Sequence, residues 1–279
     1  MKKYYSVGGV DFLIESDADF FDTEETVPFL TEASEQSVKC VFRQTDKLDI
    51  PDSKPDFSGE FGEIYGDVRT FFIPTMSCAA AVVKKVGNDF FCEYKGEYSV
   101  FFSYAKNLMN AVGLERLIIR NNAFILHCSL LEMNGGAVLF SGHSGIGKST
   151  RADMFINAFG GRLINGDRAV LSRQNGVVYA SGLPIAGSSE VYINKTLPLK
   201  AIVFLEKGTG TKTEKAKPVF AYKKLYENLL LNVWSADFMK KADDFMITLC
   251  ESGMIYSSRC DLSPDSVNEQ KNVIFSDGQ

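Results

Sequence analysis

Residues 142–149 read Gly142-His143-Ser144-Gly145-Ile146-Gly147-Lys148-Ser149, which meets G-x-x-x-x-G-K-[ST] at every fixed position. The apolar run Ala137–Ser141 before it reads as a strand. After it, Ala152, Phe155, Ile156 and Phe159 keep one helical face that ends at Gly160-Gly161. A chain written this way is committed to strand, glycine-rich loop and helix in succession, a unit of an α/β protein. The residue types suit a phosphate: glycines let backbone N–H groups curl around oxygens at a helix N-terminus, and Lys148 offers a point charge to the β and γ phosphates. Ser149 can place a hydroxyl on Mg²⁺. The expected nucleotide-binding residues are therefore Gly142, His143, Ser144, Gly145, Ile146, Gly147, Lys148, Ser149 and the adjoining Thr150, with ATP or GTP and Mg²⁺ as cofactors.

The rest of the chain divides by pattern. Its 279 residues are enough for one large domain or two modest ones. Residues 1–120 are expected to form a β-rich N-terminal domain with a connecting helix, and 121–279 the nucleotide-binding domain. Short Val-, Phe- and Tyr-rich runs predict antiparallel strands at Lys3–Val7, Val10–Glu15, Val38–Phe42, Val68–Ile73, Ala79–Lys85, Phe90–Tyr94 and Tyr98–Phe102, with a turn at Lys95-Gly96. The stretch Asp46–Asp67 reads as a solvated acidic excursion, and helical spacing over Tyr104–Asn121 predicts the connecting helix. Beyond the glycine-rich loop, strands are expected at Arg162–Asn165, Ala169–Arg173, Val177–Ser181, Leu199–Lys207 and Met254–Cys260. A helical stripe runs from Tyr222 to Trp234 and restarts after Ser235, and a short helix begins near Ser263-Pro264.

Charge and cysteine usage narrow the function classes. Thirty basic against 35 acidic side chains leave a net charge of −5, so no global positive field is available to hold nucleic acid. Asp46, Asp49, Asp52, Asp56, Glu60, Glu63 and Asp67 outnumber Lys47 and Lys54 by that same amount. Gly8, Gly9, Asp11 and Glu15 interrupt any leader after Lys2-Lys3, and no run approaches the ~18 apolar residues of a membrane span, so a cytoplasmic, non-membrane protein is expected. The six cysteines (Cys40, Cys78, Cys92, Cys128, Cys250 and Cys260) form no CxxC pair and read as free thiols.

Two acids compete for a metal. Asp167 follows the short strand in Leu163-Ile164-Asn165-Gly166-Asp167-Arg168, where it is either a metal ligand or a turn aspartate. Glu206 ends an apolar strand as a Walker B carboxylate would and, taken alone, fits the generic pattern better. His127, in Phe124–Ser129, is either a core imidazole or part of the site, and His143 sits at a variable loop position expected to face solvent.

Residues Ile119–Glu206 resemble the HPr kinase/phosphorylase family, whose members phosphorylate a serine and share their nucleotide-binding core with ATP-dependent PEP carboxykinases. The resemblance is carried by Leu126-His127, Gly142–Ser149, Leu163–Arg168 and Pro198–Glu206. It is strongest to HPr-kinase-related proteins found beside peptide-modification genes, which carry a β-rich N-terminal region. The resemblance implies an α/β fold with an HPr kinase/PEP carboxykinase-like core. It makes Lys148 the phosphate ligand, Ser149 and Asp167 the Mg²⁺ ligands, and Asp167, His127 and Lys148 the catalytic set. It implies a Mg²⁺-requiring serine kinase acting on a peptide, protein or small hydroxylated acceptor, and raises a homo-oligomer by analogy. One position departs from the pattern: where the family has Asp-Asp-Arg, this chain has Gly166-Asp167-Arg168. The missing aspartate is the family's general base. Either Asp167 serves both roles, or His127 substitutes, or the chain binds nucleotide without efficient transfer. The family's basic residue beyond the sheet has no clear match, Lys195 and Lys200 being the candidates.

Overall fold

The computed structural model describes all residues except 19–22, 35–36, 60–61, 74–77, 209, 260, 262 and 277–279, so Glu60 and Cys260 lie outside the described residues. It is a mixed α/β chain with two large β-sheets and helices, dividing into compact units Met1–Ile118 and Ile119–Gln279.

In the first unit the strands are β1 (Lys2–Val7), β2 (Val10–Ser16), β3 (Val38–Gln44), β4 (Phe57–Gly59), β5 (Gly62–Tyr65), β6 (Val68–Phe72), β7 (Ala79–Val86) and β8 (Asp89–Tyr94). They form one sheet in the order β1-β2-β3-β8-β7-β6-β5-β4. Three expectations need correction here. The sheet is not wholly antiparallel, because β3 runs parallel to both β2 and β8. The acidic stretch is not only a loop: Phe57–Gly59 and Gly62–Tyr65 pair across it. Tyr98–Phe102 is not a strand but lies in the 3₁₀ segment Gly96–Ser103, where the Tyr98 N–H donates to Lys95 O (2.9 Å). That local winding seats Phe102 edge-on against Phe42 (5.8 Å) and Tyr94 (5.6 Å), a core contact that strand spacing cannot supply. The connecting segment is likewise broken, into α1 (Ala105–Val112) and α2 (Leu114–Ile118) around Gly113 at φ 68°.

The second unit holds β9 (Ala123–Met133), β10 (Gly136–Ser141), α3 (Lys148–Phe159), β11 (Arg162–Asn165), β12 (Arg168–Gln174), β13 (Val177–Ser181), β14 (Thr196–Glu206), β15 (Lys212–Lys215), α4 (Pro218–Asn228), α5 (Ala236–Glu251), β16 (Ile255–Arg259) and α6 (Pro264–Phe275). The pairings β9–β12, β12–β13, β13–β14, β14–β10 and β10–β9 return to their start. Strand β14 explains its own sequence. Ala201, Val203 and Leu205 face a core with α3 and α6, while Ile202 and Phe204 face another with α4 and α5, so both faces are apolar. The stripe expected to run helically to Trp234 stops at Asn228, because Leu229 bridges to Leu126 and the Leu230 N–H donates to Ile125 O (2.8 Å). Strand β15 was not expected from the sequence.

Strands β10, β14 and β16 are mutually parallel, so the loop Gly142–Ser149, Glu206 and Arg259 leave the sheet at the same end. Ligands of such sheets gather at the carboxyl ends of the strands. Among the described residues no helix is long and apolar enough to cross a membrane, and five cysteines are free thiols.

Candidate functional site

The loop between β10 and α3 is built to present backbone N–H groups. Gly145 (φ 74°) and Gly147 (φ 104°) take left-handed conformations that side chains rarely adopt, and a Cβ on either would meet open space. Steric room therefore does not demand these glycines; backbone dihedral does. Helix α3 starts at Lys148 with Gly147 as its cap and no capping side chain, so its first N–H groups await an acceptor. Ser149 and Thr150 are exposed in that first turn, as are His143 and Ser144 in the loop.

Lys148 is 8% exposed, and its ammonium donates to Gly142 O (3.0 Å) and His143 O (3.2 Å). Burial lowers its pKa from the ordinary lysine value, and the negative charge of Asp167 opposes that shift. The charge of Asp167 thus acts on Lys148.

Asp167 owes its place to an interrupted strand. Segments β11 and β12 both pair antiparallel with β9, and Gly166-Asp167 is the break between them. The fully buried Asn165 holds the break: its Oδ1 accepts from Asp167 N (2.9 Å) and Arg168 N (2.9 Å), and its Nδ2 donates to Leu183 O (3.0 Å) and Ile185 O (3.0 Å). Carbonyls 166 and 167 accept from Ser129 Oγ (3.2 Å) and Cys128 N (3.0 Å). The carboxylate of Asp167 then meets His127 Nδ1 at 3.5 Å and Arg168 Nε at 3.1 Å.

The fold brings His127, Lys148, Asp167 and Arg168 together beside the loop. Glu206 ends β14 half-buried, and among the described residues it makes no hydrogen bond or ion pair with this group. Lys195 and Lys200 are not part of the cluster: Lys195 pairs with Glu132 at 2.5 Å, and Lys200 lies against Gly136, at the far end of β10 from the loop. Two residues escaped sequence reasoning. Asn165 had a legible signal, an Asn before Gly at a strand end, where side-chain-to-backbone bonding is common. Ser189 had none. A Cβ placed on Gly166 would lie 2.4 Å from both Cβ and Oγ of Ser189, while one on Gly187 would lie 3.1 Å from Asp167 Cβ. The turn Gly187–Ser189 therefore packs directly on Gly166-Asp167.

No family model matches the chain, and no curated protein matches its sequence. Among solved structures, the Hpr(Ser) kinase/phosphatase from Coxiella burnetii is similar over 33% of this chain and 77% of that chain, at 19% identity and a TM-score of 0.24.

His127 is about one-third exposed, and its pKa lies below the usual 6.5 because burial and the Lys148 charge disfavour the imidazolium, while Asp167 favours it. Its neutral form is the one this site stabilises. The unfolded chain binds the proton more tightly, so the stability His127 contributes is present above pH 6.5 and is lost as pH falls through its lower folded value. With two histidines in the chain, proton NMR of the nucleotide-free protein resolves this directly. The ring signal removed by His127→Gln should titrate below 6.5, and the variant should lose less stability on acidification than the parent. A midpoint at or above 6.5 would contradict the lowering by burial and by the Lys148 charge.

Proposed function

We propose that this chain is a Mg²⁺-dependent kinase of the HPr kinase type, transferring the γ-phosphoryl group of ATP or GTP to a serine-like hydroxyl of a peptide, protein or small acceptor. The observation that carries the reading is the convergence of Lys148, Asp167 and His127 beside an uncapped helix N-terminus with two left-handed glycines. The donor set fits a phosphate-borne cation. Among the described residues no three His, Cys, Asp or Glu side chains gather to hold a metal, so Asp167 and Ser149 would share a Mg²⁺ with phosphate oxygens and water. When bound, Mg²⁺ neutralises charge on the transferring phosphoryl group. Lys148 orients the β and γ phosphates. The acceptor hydroxyl passes its proton to Asp167 or to neutral His127 as its oxygen bonds to phosphorus and the nucleoside diphosphate leaves.

Incubation with γ-labelled ATP or GTP, Mg²⁺ and candidate acceptors, followed by intact-mass analysis, tests the reading. A second reading, a nucleotide-binding module without transfer, is favoured by Ser189 filling the space beside Gly166 where the family's base would begin. Nucleotide binding with neither transfer nor hydrolysis would select it.

The two acids should separate cleanly. Asp167→Asn is expected to abolish the Mg²⁺ dependence of nucleotide binding in calorimetry, whereas Glu206→Gln should change it little, because Asp167 is the carboxylate acting on Lys148. The reverse result would assign the chemistry to an ordinary NTPase arrangement with Glu206 on the metal.

A further inference from the structure

We propose that the cleft between the glycine-rich loop and the end of α4 binds a free, zwitterionic hydroxy amino acid, held by Arg168 at its carboxylate and by Glu227 at its ammonium. The kinase reading supplies the fate of the hydroxyl; the binding claim stands on the cleft itself. The cleft has a volume of about 380 Å³, in the range of small-molecule sites. Its walls include His143 and Ser144 from the start of the loop, but none of residues 145–149. It is therefore a space beside the phosphate cradle, and Arg168 faces it together with His127.

Charge divides across this cleft. Arg168 pairs with His127 across one edge of β9, whereas Leu229 and Leu230 pair with Leu126 and Ile125 where α4 ends. Arg168 spends its Nε on Asp167, and among the described residues its two terminal amino groups have no hydrogen-bond partner. That planar pair matches a carboxylate. Toward α4 the sign reverses: Glu227 lines the cleft, and the C-terminal end of a helix carries partial negative charge. Glu227 also meets Lys224 (3.4 Å) and Lys223 (3.8 Å), exposed contacts of the kind worth little. A ligand with one carboxylate and one ammonium satisfies both, and a hydroxyl on its side chain would lie toward His127, which lines the cleft and meets Asp167 at 3.5 Å, where the kinase reading needs it.

Titration of the full chain without nucleotide tests this, using calorimetry together with the ring signals of the two histidines. The probes are L-serine, L-threonine and L-homoserine, with N-acetyl-L-serine and L-serinamide as analogues lacking one charge each. At least one hydroxy amino acid should bind in the millimolar range or tighter and shift the His127 signal. Each single-charge analogue should bind about tenfold more weakly, as expected for one lost charge-assisted contact. Arg168→Gln and Glu227→Gln should weaken amino-acid binding by a similar factor, and Glu227→Gln should leave nucleotide affinity unchanged. The proposal is overturned if no hydroxy amino acid binds, if the analogues bind as well as serine, or if Arg168→Gln weakens nucleotide and spares the amino acid. Failure of the parent to bind nucleotide would instead remove the kinase reading and leave this titration to be judged alone.

Discussion

Lys148→Ala is expected to weaken Mg²⁺-nucleotide binding by about ten- to a hundredfold while leaving the chain folded. Hydrogen bonds to charged groups contribute about 1.5–3 kcal/mol, and each 1.4 kcal/mol is a factor of ten in affinity. The ammonium of Lys148 is the cation placed inside the loop, bonded to the carbonyls of Gly142 and His143, and a phosphate entering the loop would take over one or both of those contacts. The same substitution should change stability little. The two hydrogen bonds disappear together with the burial cost that lowers the lysine pKa, so loss and gain oppose one another. Calorimetric titration and thermal denaturation of parent and variant check both halves. Equal nucleotide affinity in the two proteins would remove the foundation of the proposed function.

The second large effect concerns the missing carboxylate at position 166. General-base catalysis is typically worth about 10²–10⁴-fold, so restoring it should accelerate transfer by a factor in that range. Gly166→Asp alone should not show this. Gly166 lies outside the left-handed region, so backbone strain is not the obstacle; the obstacle is Ser189, whose Cβ would sit 2.4 Å from the new Cβ. Rotating the Ser189 hydroxyl cannot relieve a contact with its Cβ. The turn Gly187–Ser189 must shift, and overpacking of this kind costs about 1–3 kcal/mol. It would also disturb Asp167, against which Gly187 packs. The informative variant is therefore Gly166→Asp combined with Ser189→Gly, which opens the space, with Gly166→Asn in the same background as the control for shape without basicity. Single-turnover transfer should rise in the Asp double variant alone. If both double variants fold and bind nucleotide yet neither transfers nor hydrolyses phosphate with any acceptor, the chain is a binding module; if the parent is already fast, His127→Ala becomes the decisive variant.

Sequence and tertiary structure contributed differently to this picture. The course of residues 136–160 was legible beforehand, because apolar alternation, glycine spacing and a helical face are all local properties and agreed with one another. Strand β14 was legible for the same reason, since burial on both faces leaves an unbroken apolar run. The segment Tyr98–Phe102 misled: its aromatic content fits a strand, but the contact of Phe102 with Phe42, 60 residues away, together with that to nearby Tyr94, decides its 3₁₀ winding. The parallel pairing of β3 with β2 and β8 was equally hidden, because side-chain alternation is the same in parallel and antiparallel strands. At the site, the sequence alone offered Asp167 and Glu206 as rivals and left His127 between core and function. Only the fold decided which charges feel one another. It placed Asp167 at a break held by Asn165, within reach of His127, Arg168 and the field of Lys148, and it set Ser189 into the notch beside Gly166. His127, Lys148 and Ser189 lie 19 or more residues from Asp167 and become neighbours of Gly166-Asp167 only when strands pair and turns pack, and no periodicity within the chain encodes that distance.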